Sequence, residues 1–264
     1  MTNTNERFQE LAAHAVTALQ GDTFVIGLAA AGSWITQELH EYSDLDLILV
    51  TKDKLTNKEE FIAYARRFGN LVSAFTGEHV NEPRLLICLY DDPLLHVDIK
   101  FLTLDEFGSR VEDPFLLLDK DEQLANVIRE TKAVFPFPEY QWIEDRFWTW
   151  IHYLLTKTGR GEYFEASDFL AFLRAVVFGP LLHIRNGNLP RGVRRVEMQL
   201  PASDLVLLKS TIATHERSAL ITATKNAVSL YRQLRISLYP EDVMLQKSAE
   251  EAVALVLDRS ELSR

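Results

Sequence analysis

The sequence predicts an α/β domain with a small mixed sheet over residues 1–138, followed by an all-α helical bundle over residues 139–264. Three observations predict it. In the first half, short apolar runs bounded by turn residues alternate with amphipathic stretches, as strands and helices do when taken in turn. After "FPFPEYQW", where Pro136 and Pro138 punctuate the chain, nearly every stretch has apolar residues three or four apart. The charge changes at the same place. Residues 1–139 carry 12 basic and 24 acidic side chains, whereas residues 140–264 carry 16 and 14.

"NERFQELAAHAVTALQG" has helical spacing and stops at Gly21. "TFVIGLAAAG" reads as a buried strand running into small residues, "SWITQELHEY" as a short helix or loop, and "LDLILVT" as a strand. "NKEEFIAYARRFGN" is a helix closed at Gly69, and "PRLLICLY" and "LLHVDIKFL" are two further strands. In the second half "EDRFWTWIHYLLTKT", "YFEASDFLAFLRAVVFGPLLHIR" and "PEDVMLQKSAEEAVALVLDRS" all read as helix. The stretch from Ala202 to Leu238 is too long for one helix, and "ATHERS" is the expected break.

Composition excludes several classes. At 47% hydrophobic and 25% charged, the chain is globular. Its single cysteine, Cys88, forbids an internal disulfide and sits in an apolar run, where a small buried hydrophobe is expected. A reducing, cytoplasmic setting fits. "MTNTNERFQE" is polar and acidic, unlike a signal peptide, and no apolar run approaches the ~20 residues of a membrane helix. The net charge of −10, concentrated in the first half, argues against a nucleic-acid partner. It suits a cationic small molecule, or a metal with its nucleotide. The seven histidines and one cysteine show no zinc spacing, and no Walker loop, G-x-S-x-G or G-x-G-x-x-G occurs.

One cluster carries chemistry. In "HEYSDLDLILV" strand alternation puts Asp44 and Asp46 on one face at the mouth of an apolar run. Two like charges side by side are tolerated at a solvated edge or where a cation sits between them. Gly32 and Ser33 precede them at the end of a small-residue strand. Glycine there lets backbone approach a ligand, and a hydroxyl with free backbone N–H groups suits a phosphate oxygen. Asp98 lies inside "LLHVDIKF", where an unpaired buried acid is costly.

"AGSWITQELHEYSDLDLILV" with the later "LLHVDIKF" resembles the nucleotidyltransferase superfamily of DNA polymerase beta type. "GRGEYFEASDFLAFLR" resembles the helical segment of bacterial aminoglycoside- and lincosamide-type nucleotidyltransferases and their uncharacterised relatives. The resemblance implies a catalytic domain over 1–138 and a helical substrate-binding domain over 139–264. It implies transfer of a nucleoside monophosphate from a nucleoside triphosphate to a hydroxyl of a small molecule, an aminoglycoside- or lincosamide-like antibiotic being one candidate. Two Mg²⁺ ions would be held by Asp44, Asp46 and Asp98, with Asp98 at the attacking hydroxyl. Gly32, Ser33, Lys157 and Arg160 are the expected nucleotide contacts. Glu162 and Glu165, with Asp168 on the same helix face, are the expected acids for a cationic acceptor. His96 and Lys100 fall on the Asp98 face as supporting candidates, and Trp34 is placed to cover a base or a sugar. The alternatives are a protein or RNA acceptor, or a nucleotide-binding protein with a degenerate site.

Overall fold

The computed structural model describes residues 4–91 and 94–262. They divide into two compact units, Met1–Phe135 and Pro136–Arg264.

The first unit opens with α1 (Thr4–Gln20), then β1 (Val25–Ala30) and β2 (Leu45–Thr51). Next come α2 (Lys58–Ala65), the strands β3 (Leu71–Gly77), β4 (Glu82–Tyr90) and β5 (Leu95–Thr103), and α3 (Leu104–Phe107). β6 (Phe115–Asp119) and α4 (Gln123–Glu130) complete it. The strands form one mixed six-stranded sheet in the order β3-β4-β5-β2-β1-β6. β2 and β5 run parallel, and the other neighbours are antiparallel.

Alternation decides which side of the sheet is core. Leu45, Leu47 and Leu49 on β2, with Val97, Ile99 and Phe101 on β5, are buried against α1 and α2 residues such as Phe8, Leu11, Phe61 and Ala65. Cys88 lies in the same core, fully buried and unpaired, and burial pushes its thiol up to about 12. The intervening residues face the other way. There a smaller cluster of Ile26, Ala29, Val50, Phe107 and Leu124, flanked by Ile48 and Leu102, packs under α3 and α4.

The helix starts follow local chemistry. Asn57 caps α2, its side chain accepting from the Glu59 N–H at 3.0 Å. Thr103 and Glu106 make a capping box at α3. The Asp119 carboxylate accepts the Leu124 and Ala125 N–H groups at the start of α4, each at 2.9 Å.

In the first unit four elements are absent from the sequence reading: β3, the single-turn α3, β6 and α4. β3 is an edge strand exposed on both faces, with Val72 58% and Phe75 48% exposed, so it shows no alternation. β6 is five residues long and nowhere fully buried. α4 begins after two residues with positive φ, Asp121 and Glu122, which periodicity does not foresee.

The second unit is helical: α5 (Tyr140–Gly159), α6 (Tyr163–Leu173), α7 (Gly179–Arg185), α8 (Val196–Gln199), α9 (Ala202–Lys209), α10 (Arg217–Leu238) and α11 (Lys247–Leu262). The break expected at "ATHERS" lies between α9 and α10. The apolar stretch 163–185 is not one regular α-helix, because Arg174–Phe178 form a π-helical turn. Pro180 cannot donate a backbone bond, and a Cβ on Gly179 would stand 2.3 Å from the Gly192 carbonyl oxygen. By length and composition this 23-residue run is apolar enough to cross a membrane, which the sequence reading did not register. Glu165, Asp168 and Arg174 interrupt it, and Leu170, Leu173, Val177, Phe178, Leu181 and Leu182 are spent on the helical core. Within that core Glu144 is fully buried. It accepts from the Tyr231 hydroxyl at 2.5 Å and the Gln246 N–H at 2.9 Å, and pairs with Arg235 at 3.3 Å.

Candidate active site

Asp46 and Asp98 are register partners on the parallel pair β2–β5. Directly paired residues share a sheet face, so the two carboxylates stand side by side on the face turned away from the α1–α2 core. Asp44 precedes the first residue of β2 and is half-buried. Burial raises the Asp98 pKa above its ordinary value of 3.8. The neighbouring His96 opposes that rise and the Asp44 charge adds to it. His96 Nε2 lies 3.0 Å from Asp98 Oδ1. Lys100, on the same face, donates instead to Glu82 at 3.1 Å.

The turn after β1 is built onto these acids. Gly32 adopts φ +60°, and a Cβ there would stand 2.2 Å from Asp46 Oδ2. Only glycine permits that approach. The Ala31 N–H donates to the Asp46 carbonyl oxygen at 2.9 Å, tying β1 to β2. The free N–H groups expected here are fewer than the sequence suggested. The Gly32 N–H donates to Glu112 Oε1 at 2.9 Å, and those of Trp34 and Ile35 close the 3₁₀ turn onto Ala31 and Gly32. Among the described residues this leaves Ser33, with its N–H and hydroxyl, as the turn donor without a partner. Trp34 packs against Phe115, their ring centroids 6.4 Å apart.

No protein-family profile matches the chain, and no curated protein does. Among solved structures, it is similar to an aminoglycoside 6-adenyltransferase from Bacillus subtilis. That match has 17% identity and a TM-score of 0.42, covering 98% of this chain and 99% of the other. It is also similar to a nucleotidyltransferase-like protein from Exiguobacterium sibiricum, at 12% identity and TM-score 0.41, covering 96% and 89%. A third is the Thermotoga maritima CCA-adding enzyme complexed with tRNA, at 13% identity and TM-score 0.33, covering 96% of this chain and 69% of that one.

Among the described residues, no group of three His, Cys, Asp or Glu side chains is gathered as a ready metal cage. Mg²⁺ does not require one, because it usually takes one or two carboxylates and completes its shell with substrate phosphates and water. Asp46 and Asp98, side by side with Asp44 close enough to raise the Asp98 pKa, fit that donor set.

The acids divide two different surroundings. On the β1 side lies the Gly32–Ser33 turn. On the other side Asp98 pairs with Ile87 of β4, and Ile87 with Phe75 of β3. Uncharged side chains therefore continue the row of carboxylates across the same face, out to the 48% exposed Phe75.

Lys157, Arg160, Glu162 and Glu165 gather in the second unit, at the junction of α5 and α6. Lys157 Nζ donates to Glu162 Oε2 at 2.7 Å and Glu165 Oε2 at 2.9 Å, and Arg160 lies 3.8 Å from Glu162 Oε1. The Tyr153 hydroxyl donates to Glu165. The hydrogen bonds that Lys157 donates to these two glutamates raise its pKa, while Tyr153 and Lys157 lower that of Glu165. Glu162 is the N-cap of α6 rather than a residue of its first turn, and Asp168 is exposed one turn beyond Glu165. The cations and anions of this cluster thus satisfy each other. Glu112 was missed entirely. It is one acid in a loop, eighty residues from Gly32, and no local pattern marks it.

Proposed function

We propose that this chain is a nucleotidyltransferase that moves a nucleoside monophosphate from a nucleoside triphosphate to a hydroxyl of a small molecule. The observation that carries the reading is the opposition of Asp46 and Asp98, with the backbone of Gly32 pressed against Asp46. A folded protein gains nothing by setting carboxylates side by side against the left-handed backbone of a glycine, whereas a site that binds cations with phosphate needs that arrangement. Asp44, Asp46 and Asp98 would hold Mg²⁺, two ions in this reading, which neutralises phosphate charge and lowers the pKa of the acceptor hydroxyl.

The chain's own groups do the rest. Ser33, through its N–H and hydroxyl, holds a phosphate oxygen. Asp98 accepts the proton of the acceptor hydroxyl, and His96, its Nε2 3.0 Å from Asp98 Oδ1, passes the proton on. The acceptor oxygen bonds to the α-phosphorus, the bond to the bridging oxygen breaks, and pyrophosphate leaves with that electron pair.

In the second unit Lys157, Arg160, Glu162 and Glu165 form a cluster of no net charge. A cationic acceptor, such as an aminoglycoside-like compound, binds there by taking the two glutamates from Lys157. The test is transfer of label from α-labelled triphosphates, with Mg²⁺, to a panel of aminoglycosides, lincosamides and other hydroxyl metabolites. Labelled product with wild type and none with Asp46→Asn supports the reading. Nucleotide binding without transfer to any acceptor would replace it with a nucleotide-binding protein of degenerate site.

A further inference from the structure

Glu112 stands outside the acid trio, yet it touches the same turn. Its Oε1 accepts the Gly32 N–H at 2.9 Å. The loop that carries it is fixed on both sides. Arg110, its side chain 7% exposed, bonds Asp113 at 2.7 Å, the Ile128 carbonyl at 3.2 Å and the Thr131 carbonyl at 3.0 Å. Pro114 is buried, and Phe115 opens β6 opposite Ala30, one residue before the turn. Asp113 therefore faces Arg110 while its neighbour Glu112 reaches Gly32. The glycine it holds is the one with φ +60° and a backbone pressed on Asp46.

We propose that Glu112 is a positioning residue for the nucleotide phosphate, acting through Gly32. This rests on the nucleotidyltransferase reading above. Its bond keeps the turn in the left-handed conformation that aims the Ser33 N–H and hydroxyl at the ligand. Without it the turn samples other conformations, and apparent affinity falls with the fraction still competent. Charge alone argues the opposite way. Removing an anion beside a polyanion site strengthens nucleotide binding. The two effects therefore differ in sign, which makes the proposal testable.

Wild type, Glu112→Gln and Glu112→Ala are titrated with ATP and Mg²⁺ by calorimetry, with thermal melting measured alongside. Glutamine keeps an acceptor oxygen and loses the charge; alanine loses both. The expected result is ATP binding weakened about tenfold in Glu112→Ala and at least as tight as wild type in Glu112→Gln. Melting of the alanine variant should fall by no more than about 3 °C. Unchanged or tighter binding in Glu112→Ala overturns the proposal, and so does equal weakening in both variants, which would mark the charge itself as the ligand. If wild type binds no ATP, the nucleotidyltransferase reading fails and the proposal with it. If wild type binds and the alanine variant matches it, the proposal alone fails.

Discussion

Lys157 is held by Glu165, its ammonium 2.9 Å from Oε2, in a site where the sequence had given the two residues different tasks. A lysine that holds triphosphate loses ATP affinity when replaced by methionine. A lysine that occupies two glutamates instead frees them for another cation. The pairing favours the second role. Lys157→Met should change ATP affinity less than about twofold while tightening a cationic aminoglycoside, an effect that fades as salt shortens the Debye length from ~10 Å at 0.1 M to ~3 Å at 1 M. Loss of ATP affinity in that titration would return Lys157 to the nucleotide.

Asp98→Asn should abolish transfer and raise the melting temperature of the metal-free protein. Folding raises the Asp98 pKa above 3.8, chiefly by burial. The folded state therefore binds this proton more tightly than the unfolded one, and the penalty grows as pH rises through the raised value. Melting in chelator should show the variant gaining on wild type from about pH 4 upward. A variant no more stable than wild type at pH 7 would mean that the side chain is not desolvated as described.

Gly32→Ala should lose both stability and Mg²⁺-dependent nucleotide binding. The left-handed backbone alone costs a residue with a Cβ about 1–2 kcal/mol. The Cβ would also stand 2.2 Å from Asp46 Oδ2, so either the turn or the carboxylate must move. Chemical denaturation and ATP titration check the two losses. Retention of full ATP affinity would show that the turn's approach to Asp46 is dispensable.

Glu106 gives a pH prediction away from the site. Arg84 donates to both of its oxygens at 2.6 Å, and with the Thr103 N–H and Lys54 it lowers the Glu106 pKa from 4.5 to about 2. Its contribution is therefore complete above 4.5 and lost as pH falls towards 2. Wild type should melt above Glu106→Gln at pH 7, with the gap closing over that acid window. A gap independent of pH would point to packing rather than charge.

The sequence revealed much of this because its strongest patterns coincide with its chemistry. β2 appears at the bounds its alternation marks, since Leu45, Leu47 and Leu49 are all buried and the acids fall on the opposite face. α5 and α10 are long enough for spacing to be decisive. β3 was invisible because an edge strand exposed on both faces has no period to read. The site divided along the same line. Asp46 and Asp98 sit in patterned strands, and Asp44 directly precedes one. Glu112 reaches Gly32 through a loop, and the mutual pairing of Lys157 with Glu162 and Glu165 depends on how the chain turns at Gly161, which has φ +81°.

The parallel pairing of β2 with β5 also sets when the site comes into being. The β3–β4 and β4–β5 pairs join strands that follow one another along the chain, so they can zip locally. β5 reaches β2 only after α2, β3 and β4 have been threaded between them, and such non-local closure is slow. Topology therefore predicts that Asp46 and Asp98 stay apart through the early stages of folding. They meet when Leu45 and Leu47 align with Val97 and Ile99, so the apolar ladder that restrains the two charges is laid down in the same event that brings them together.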